Sequence, residues 1–517
     1  QRNNSVDSAA RVEYTYNSKN QLQGIAHNGF NYGFLYDIYG NTLQNKVGSR
    51  TLITNTFAAN DYNPSNDNLG VPDLLTKSTY GNGDTVEYDY DKYQRVVNKR
   101  VNGSSGYSYT YDANGNLSKM DDSPNNITYL YEYDQLGRLC RVNGNSNRVL
   151  SYRYDGSNRL TGNSYLFGNS TRSATFGYEV GGFLQNAHFS NGSTRTYAYD
   201  SLARLASVVT NPTGSGQGWQ TSYGYLNGSG NQTSNLVNSV QHKAIGLNLS
   251  YQYNKFGNIT AIFENGSLKA SYQYDYLNEL TREDNAYLNQ TVTYSYDNGG
   301  NILSKTTYPY TTGSLEGQTG ETVTYSYGDS EWKDLLTAYN GQAITYDEIG
   351  NPLSYKNGFT FTWKNGRRLA TAAANGKSLS FEYDDSGYRT QKKVNGVATD
   401  YLLDGDKIVS QIYNNQQIWF DYDAAGTRHA MEYNGNNYYY YYNLQGDVIG
   451  LYDSDLNSVV QYSYDSWGKL LSVTGSLAET VGKANPFRYR GYYYDSETEL
   501  YYLNSRYYLC VKTVPKP

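Results

Sequence analysis

Aromatic and polar positions alternate in one phrase that recurs along the chain, Tyr-x-Tyr-Asp-x-x-Gly-Asn/Arg-Leu. Tyr109-Thr110-Tyr111-Asp112-Ala113-Asn114-Gly115-Asn116-Leu117 is followed by Tyr131-Glu132-Tyr133-Asp134-Gln135-Leu136-Gly137-Arg138-Leu139, and then by Tyr152-Arg153-Tyr154-Asp155-Gly156-Ser157-Asn158-Arg159-Leu160. The second tyrosines stand at 111, 133 and 154, a period of 22 and then 21 residues. A fixed period in this range marks a stacked repeat, in which each unit buries its apolar face against the next. Strict alternation puts both rings on one face of an extended strand. Asp-x-x-Gly-Asn/Arg is turn chemistry, because aspartate bonds to following amides and Gly or Asn accepts positive φ. The Leu or Ile that follows starts a second strand, so a unit reads as one β-hairpin with strands of about five to seven residues.

The array starts near Tyr14-Thr15-Tyr16 and runs through Tyr36-Asp37 and Tyr251-Gln252-Tyr253-Asn254 to Tyr462-Ser463-Tyr464-Asp465. Degenerate copies, Phe176-Gly177-Tyr178-Glu179 and Phe361-Thr362-Trp363-Lys364, keep the aromatic pair and lose the aspartate. Ring packing is therefore the constraint the unit retains. Hairpins laid side by side predict an all-β fold, a continuous antiparallel sheet of roughly 40 strands that must twist into a spiralling, curved or hollow shell. Two Gly/Ser/Thr-rich stretches, Asn211–Asn235 and Thr306–Thr322, break the period and are expected to project as long turns. Glu331-Trp332-Lys333-Asp334-Leu335-Leu336 is the best candidate for a short helix.

Composition narrows the function classes. Charged residues make up 17% of the 517, and the net charge is -6. That balance offers no attraction for nucleic acid or an acidic membrane. No apolar run is long enough for a spanning helix. Cys140 and Cys510 are the only cysteines, which excludes a disulfide framework and a cysteine zinc site. The mean hydropathy of -0.74 comes from Asn, Ser, Thr and 61 tyrosines, not from charge, and such aromatic content argues for packing over disorder. The chain opens at Gln1 without a signal-like segment and reads as a fragment or processed piece.

Candidate chemistry is sparse. The repeat aspartates, such as Asp112, Asp134 and Asp155, sit at turn starts, where bonding to backbone is their ordinary work. His27, His188, His242 and His429 have no metal-ligand spacing. Asp453-Ser454-Asp455-Leu456-Asn457 lacks the Gly and Glu of a calcium loop and reads as a turn. No Gly-x-Ser-x-Gly elbow occurs. The run Tyr438–Tyr442 puts rings on both faces of one strand, suited to packing between repeats or, if exposed, to stacking on sugars. No cofactor and no metal are expected.

The densest segment lies near the end: Asn485-Pro486-Phe487-Arg488-Tyr489-Arg490-Gly491-Tyr492-Tyr493-Tyr494-Asp495, then Leu500-Tyr501-Tyr502-Leu503-Asn504-Ser505-Arg506-Tyr507-Tyr508. It resembles the core signature of the RHS (rearrangement hotspot) family, whose YD repeats are those described above. The resemblance implies a hollow β-shell over residues 1–484, a plug-like core motif over 485–508 and an atypical tail over 509–517. The structural residues it marks are Pro486, Phe487, Arg488, Tyr489, Arg490, Gly491, Tyr493, Asp495, Leu500, Tyr501, Tyr502, Arg506, Tyr507 and Tyr508. Arg488, Arg490 and Arg506 are expected to stack on the tyrosines and pair with Asp495 or Glu497. The resemblance further implies a secreted or cell-surface bacterial polypeptide that encloses and delivers a C-terminal toxin. Related shells occur in insecticidal toxin complexes and animal teneurins.

Two departures stand out. Glu499 occupies a position where the family usually has Gly. Arg506-Tyr507-Tyr508 runs into Leu509-Cys510-Val511-Lys512, where members continue with Asp-Pro and later a second Asp-Pro-x-Gly-Leu. The autoproteolytic aspartates are thus missing, no toxin domain follows, and the expectation is a non-catalytic shell without cargo. The other reading is a surface adhesin or carbohydrate-binding module that contacts target-cell glycans or a receptor through exposed aromatic rows.

Overall fold

Every long strand pairs antiparallel with its neighbour in the chain, as a row of hairpins requires. The structure, a computed structural model, describes residues 2–3, 9–58, 71–145, 147–213, 218–228, 232–355, 358–374, 376–504, 506–509 and 512–513. Asp134 shows why the turn has its sequence: Oδ1 accepts the amides of Leu136 at 2.9 Å and Arg138 at 3.0 Å, and Oδ2 accepts Arg138 Nε at 2.7 Å. Those bonds hold its carboxyl below the ordinary range. Asp112 does the same with Asn114 and Asn116, so the Asn/Arg of the repeat is the partner of the aspartate. Gly115 and Gly137 take φ of 88° and 74°, and the ladder bulges at the adjacent tyrosine. This is a turn closed by a left-handed residue and a β-bulge.

The two tyrosines of each pair have separate tasks. The second donates its hydroxyl to the carbonyl that begins the preceding unit's second strand: Tyr111 to Val96 at 2.7 Å, Tyr133 to Leu117 at 2.9 Å, Tyr154 to Leu139 at 3.0 Å. The bond recurs at Tyr199, Tyr274, Tyr296, Tyr383, Tyr422 and Tyr464. In the degenerate copy, Trp363 keeps the donor, giving its indole N–H to the Pro352 carbonyl at 2.7 Å. Arginines of the turn stack on the next such ring, Arg138 over Tyr154 at 4.9 Å and Arg204 over Tyr225 at 4.1 Å.

The expected single sheet is, among the described residues, two large sheets and two small ones, one of them the pair Arg2–Asn3 and Ala9–Ala10. The first large sheet runs from Val12–Tyr16 to Gln342–Ala343, each strand paired with its neighbours in the chain, and among the described residues its first and last strands share no backbone pairing. Side chains bring its two ends together: Trp332 donates to Tyr32 Oη at 3.0 Å, Arg50 pairs with Asp329 at 2.5 Å, and His27 lies 3.3 Å from Asp334. Glu331–Leu336 is therefore not a helix but a turn, begun by Asp329 and bonded from Leu335 N to Trp332 O. Burying Trp332 and Leu335 beside Phe30 and Val47 outweighs the short helical pattern. The strands shrink to two residues at Ala338–Tyr339, Gln342–Ala343 and Ser354–Tyr355, and there the ladder breaks.

A second sheet of 13 strands then runs to Leu470–Thr474. Twelve of its strands, from Phe359–Lys364 on, follow the arc of twenty-one strands of the first, Leu75–Tyr80 to Ile302–Pro309. Contacts at the two ends, Gly366 with Asp84 and Lys305 with Asp465, fix that correspondence. Fewer strands over one arc mean a smaller radius, so the second sheet lies inside. It meets the tyrosine face of the first, where Leu402, Val409 and Trp419 pack against Val142, Leu150, Tyr165 and Phe167. First tyrosines of several outer pairs reach this inner sheet: Tyr152 donates to Asp404 at 2.7 Å and Tyr197 to Asp423 at 2.6 Å.

Two expected projections are corrected here. Trp219–Asn227 is a strand within Asn211–Asn235, and Trp219 is buried against Tyr439 and Tyr452; 214–217 and 229–231 lie outside the described residues. Strand Ile302–Pro309 likewise extends into Thr306–Thr322, leaving a loop only from 310 to 320. In both places β-branched and aromatic packing overrides a turn-rich composition.

Where the sheets meet near Asn125, two carboxyls carry a cost. Burial pushes Asp122 and Asp384 up to about 6 each, with Asp385 nearby adding to both. A raised folded pKa means the folded state binds the proton more tightly. These sites therefore favour the fold as pH falls from about 6 to about 4 and penalise it above 6. Asp122→Asn with Asp384→Asn should shrink the stability gained between pH 7 and pH 5 by at least about 1 kcal/mol, read from urea unfolding at both pH values.

Candidate functional site

The tyrosine face of the inner sheet is the seat of the core motif. Phe381, Tyr383, Tyr401, Phe420, Tyr440 and Tyr462 form one cluster with Phe487, Tyr493, Leu500, Tyr502 and Tyr507. The motif's strands Tyr493–Asp495, Leu500–Tyr502 and Tyr507–Leu509 form a short antiparallel sheet, which Lys512–Thr513 of the tail extends. It enters from a single helical turn, Ala478–Gly482. Phe487 stands edge-on to Phe420 at 4.8 Å and to Tyr493 at 5.6 Å. Tyr440 donates to Asn485 at 2.8 Å, and buried Pro486 takes the Tyr494 amide on its carbonyl at 2.7 Å.

A fully buried ion cluster fastens the seat. Arg389 pairs with Asp495 through both arms, Nη1 to Oδ2 at 2.7 Å and Nη2 to Oδ1 at 3.2 Å. Lys392 bonds Asp495 at 2.9 Å and Glu497 at 3.0 Å. The Arg389 guanidinium lies 4.3 Å from the Tyr502 ring centre and 4.8 Å from that of Tyr493. Burial alone would push the Asp495 carboxyl up; the Arg389 and Lys392 charges reverse this and hold it below its ordinary value. Arg389 comes from the residue just after the Asp384–Tyr388 turn, a place the repeat pattern does not single out.

The expected partners of Asp495 are thus corrected. Arg488 is buried over Tyr494 at 4.5 Å, and Arg490 stacks on Tyr489 at 5.5 Å with its backbone amide bonded to Asp447. Arg506 is exposed and Glu497 belongs to Lys392, so none of the three arginines pairs with Asp495 or Glu497. Successive left-handed residues, Arg490 at φ 53° and Gly491 at φ 69°, close the turn from Arg488 to Tyr492. Glu499 has φ 59°, which explains a glycine preference there. Tyr489, Tyr501 and Tyr508 converge on one inner-sheet turn, donating to the carbonyls of Ser466, Gly468 and Trp467 at 3.1, 3.0 and 2.7 Å.

Other candidates resolve as packing. Tyr438 and Tyr440 face the core motif, Tyr439 and Tyr441 face Trp219, and all four are buried. His429 Nε2 lies 3.1 Å from Ser193 Oγ, a pair suggestive of a nucleophile and base. Both residues are buried, Ser193 donates to Asn191, and burial drives the imidazole well below its ordinary value; it is a neutral donor without access to substrate. Asp453 accepts the amides of Asp455 and Asn457, the expected turn. Among the described residues, no group of three or more His, Cys, Asp or Glu could hold a metal ion, and no helix is long and apolar enough to cross a membrane. Cys140 is a half-buried free thiol; Cys510 lies outside the described residues.

This architecture is found in known proteins. The chain is 35% identical over 243 residues to the tRNA3(Ser)-specific nuclease WapA of Bacillus spizizenii, a match covering 46% of this chain and 10% of that protein. It is 38% identical over 181 residues to the tRNA(Glu)-specific nuclease WapA of Bacillus subtilis subsp. natto, covering 34% of this chain and 8% of that one. The crystal structure of TcdB2-TccC3-Cdc42 superposes with a TM-score of 0.50 at 14% identity, over 97% of this chain and 34% of that one. The Teneurin YD-shell family matches residues 71–224 and 228–511. That span takes in the tyrosine-locked hairpins, the inner sheet and the core motif, and the chain belongs to the YD-shell family, the RHS/YD-repeat shells.

Proposed function

We propose that this chain is a shell segment of a secreted, toxin-type RHS protein, built to enclose and deliver an effector continuing from the core motif. The observation that carries this is the placement of Tyr507 and Tyr508. Both are buried, Tyr507 in the cluster on the tyrosine face of the inner sheet and Tyr508 bonded to the Trp467 carbonyl of that sheet, with the outer sheet beyond it. In this reading a polypeptide following residue 508 starts inside the wall. The shell itself needs no catalysis, and in this reading residues 485–508 are a structural plug. The RNA-cleaving activities named for the Bacillus relatives stay with those proteins, since the match covers a tenth of their length or less. A carbohydrate-binding role loses its main candidate, because the Tyr438–Tyr441 rings are buried between layers.

Fusion of a small, protease-labile passenger after Tyr508 tests the reading. Enclosure predicts a passenger digested at least about tenfold more slowly in the native fusion than alone, with the difference abolished in denaturant. Digestion of the native fusion at the free rate contradicts it.

A further inference from the structure

Arg389 and Arg428 hold the same place in two repeats of the inner sheet. Each follows its turn aspartate, Asp384 or Asp423, and each pairs across the ladder with the second ring of its unit, Arg389 with Tyr383 and Arg428 with Tyr422. Both guanidinium groups meet the core motif on the tyrosine face, Arg389 against Tyr493 and Tyr502, Arg428 at 3.2 Å from the ring centre of Phe487. Their partners differ. Arg389 has the Asp495 carboxylate. The partners of Arg428 are neutral: the Tyr422 hydroxyl at 3.1 Å, the Gly491 carbonyl at 3.4 Å and the Tyr442 hydroxyl. Among the described residues, Arg428 forms no ion pair.

A cavity of about 250 Å³ opens beside Arg428, between the inner sheet and the core motif. Tyr422, Arg428, Phe487 and Tyr492 line it, with Lys407 and Asp406. Asp406 is exposed, so two cations share this wall with one solvated acid. The segment from 505 to 517 contains no Asp or Glu and cannot supply a side-chain carboxylate. A guanidinium beneath rings is costly without an acid. It takes a carboxylate through charge-assisted bonds, while ring walls take a flat apolar body.

We propose that this cavity binds an aromatic carboxylic acid, its carboxylate on Arg428 and its ring among Tyr422, Phe487 and Tyr492. The ligand does for Arg428 what Asp495 does for Arg389. Tyr422 and Arg428 belong to the inner sheet, Phe487 and Tyr492 to the core motif, so the bound acid fastens motif to sheet at a second point. The inference does not depend on whether the shell holds a cargo.

Fluorine NMR of para-fluorobenzoate titrated with the 517-residue chain tests the site. Expected is saturable line broadening, absent with para-fluorobenzamide, which keeps the ring and lacks the charge. Arg428→Gln should weaken binding at least about tenfold. Arg141→Gln, at an exposed arginine of the outer sheet, should bind as the parent does. The comparison of acid with amide needs no variant and decides the matter even if Arg428→Gln fails to fold. Absence of saturable binding overturns the proposal, as does equal binding of the amide or a folded Arg428→Gln chain that binds like the parent. Displacement of the probe by acetate at the same concentration as by benzoate denies the rings a part and also overturns it.

Discussion

Asp495→Ala will destabilise the protein by about 3–5 kcal/mol and loosen the core motif from the inner sheet. Asp495 is fully buried and answers two cations, Arg389 and Lys392, whose side chains are 0% and 7% exposed. Removing the carboxylate leaves both charges beneath tyrosine rings, with only Glu497 to offset Lys392. Breaking a buried pair from one side costs far more than its net contribution. A control follows from the same physics: Arg389→Met in the Asp495→Leu background should recover part of the loss, because one uncompensated cation is gone. The pH dependence has a definite sign. Asp495 titrates below its ordinary value, so its contribution is present above about pH 4 and lost as pH falls through the folded pKa. The alanine variant should lose less stability than the parent across that acid range. Urea unfolding followed by tyrosine fluorescence measures both effects.

Much of this was legible in the residues. Period, hairpin turn and aromatic face followed from alternation and from Asp-x-x-Gly, because those patterns are local and each repeat restates them. The motif ending at Tyr508 was visible for its density of tyrosine and arginine. What was not legible depended on contacts across more than a hundred residues. The Asp495 partners come from Arg389 and Lys392, and nothing near either end of that pairing announces the other. The nesting of one sheet in the other arises where strands shorten at Ala338–Tyr355, a local weakness with a global consequence. The hydroxyl-to-carbonyl bond could have been found, since Trp363 replaces Tyr with another donor where phenylalanine would have sufficed for packing.

Arg172→Met will cost about 3–5 kcal/mol for a related reason. Arg172 leaves the outer sheet to bond Asp421 of the inner sheet with two arms, at 2.9 and 3.0 Å, and Glu432 at 2.6 Å. Asp421 is buried; burial outweighs Arg172 and keeps its carboxyl above the ordinary value, so it has little margin for losing the guanidinium. Asn191 at 3.1 Å is its remaining side-chain partner. The loss should appear mainly as faster unfolding if the coils dock after their hairpins form.

The claim beneath all of this is that the chain winds twice, so that Arg172 and Asp421, 249 positions apart, form one buried pair. A double-mutant cycle on Arg172→Met and Asp421→Leu measures it most directly. Nested coils predict a coupling energy of about 1.5–3 kcal/mol. Additivity within about 0.3 kcal/mol, as for distant sites, would contradict them.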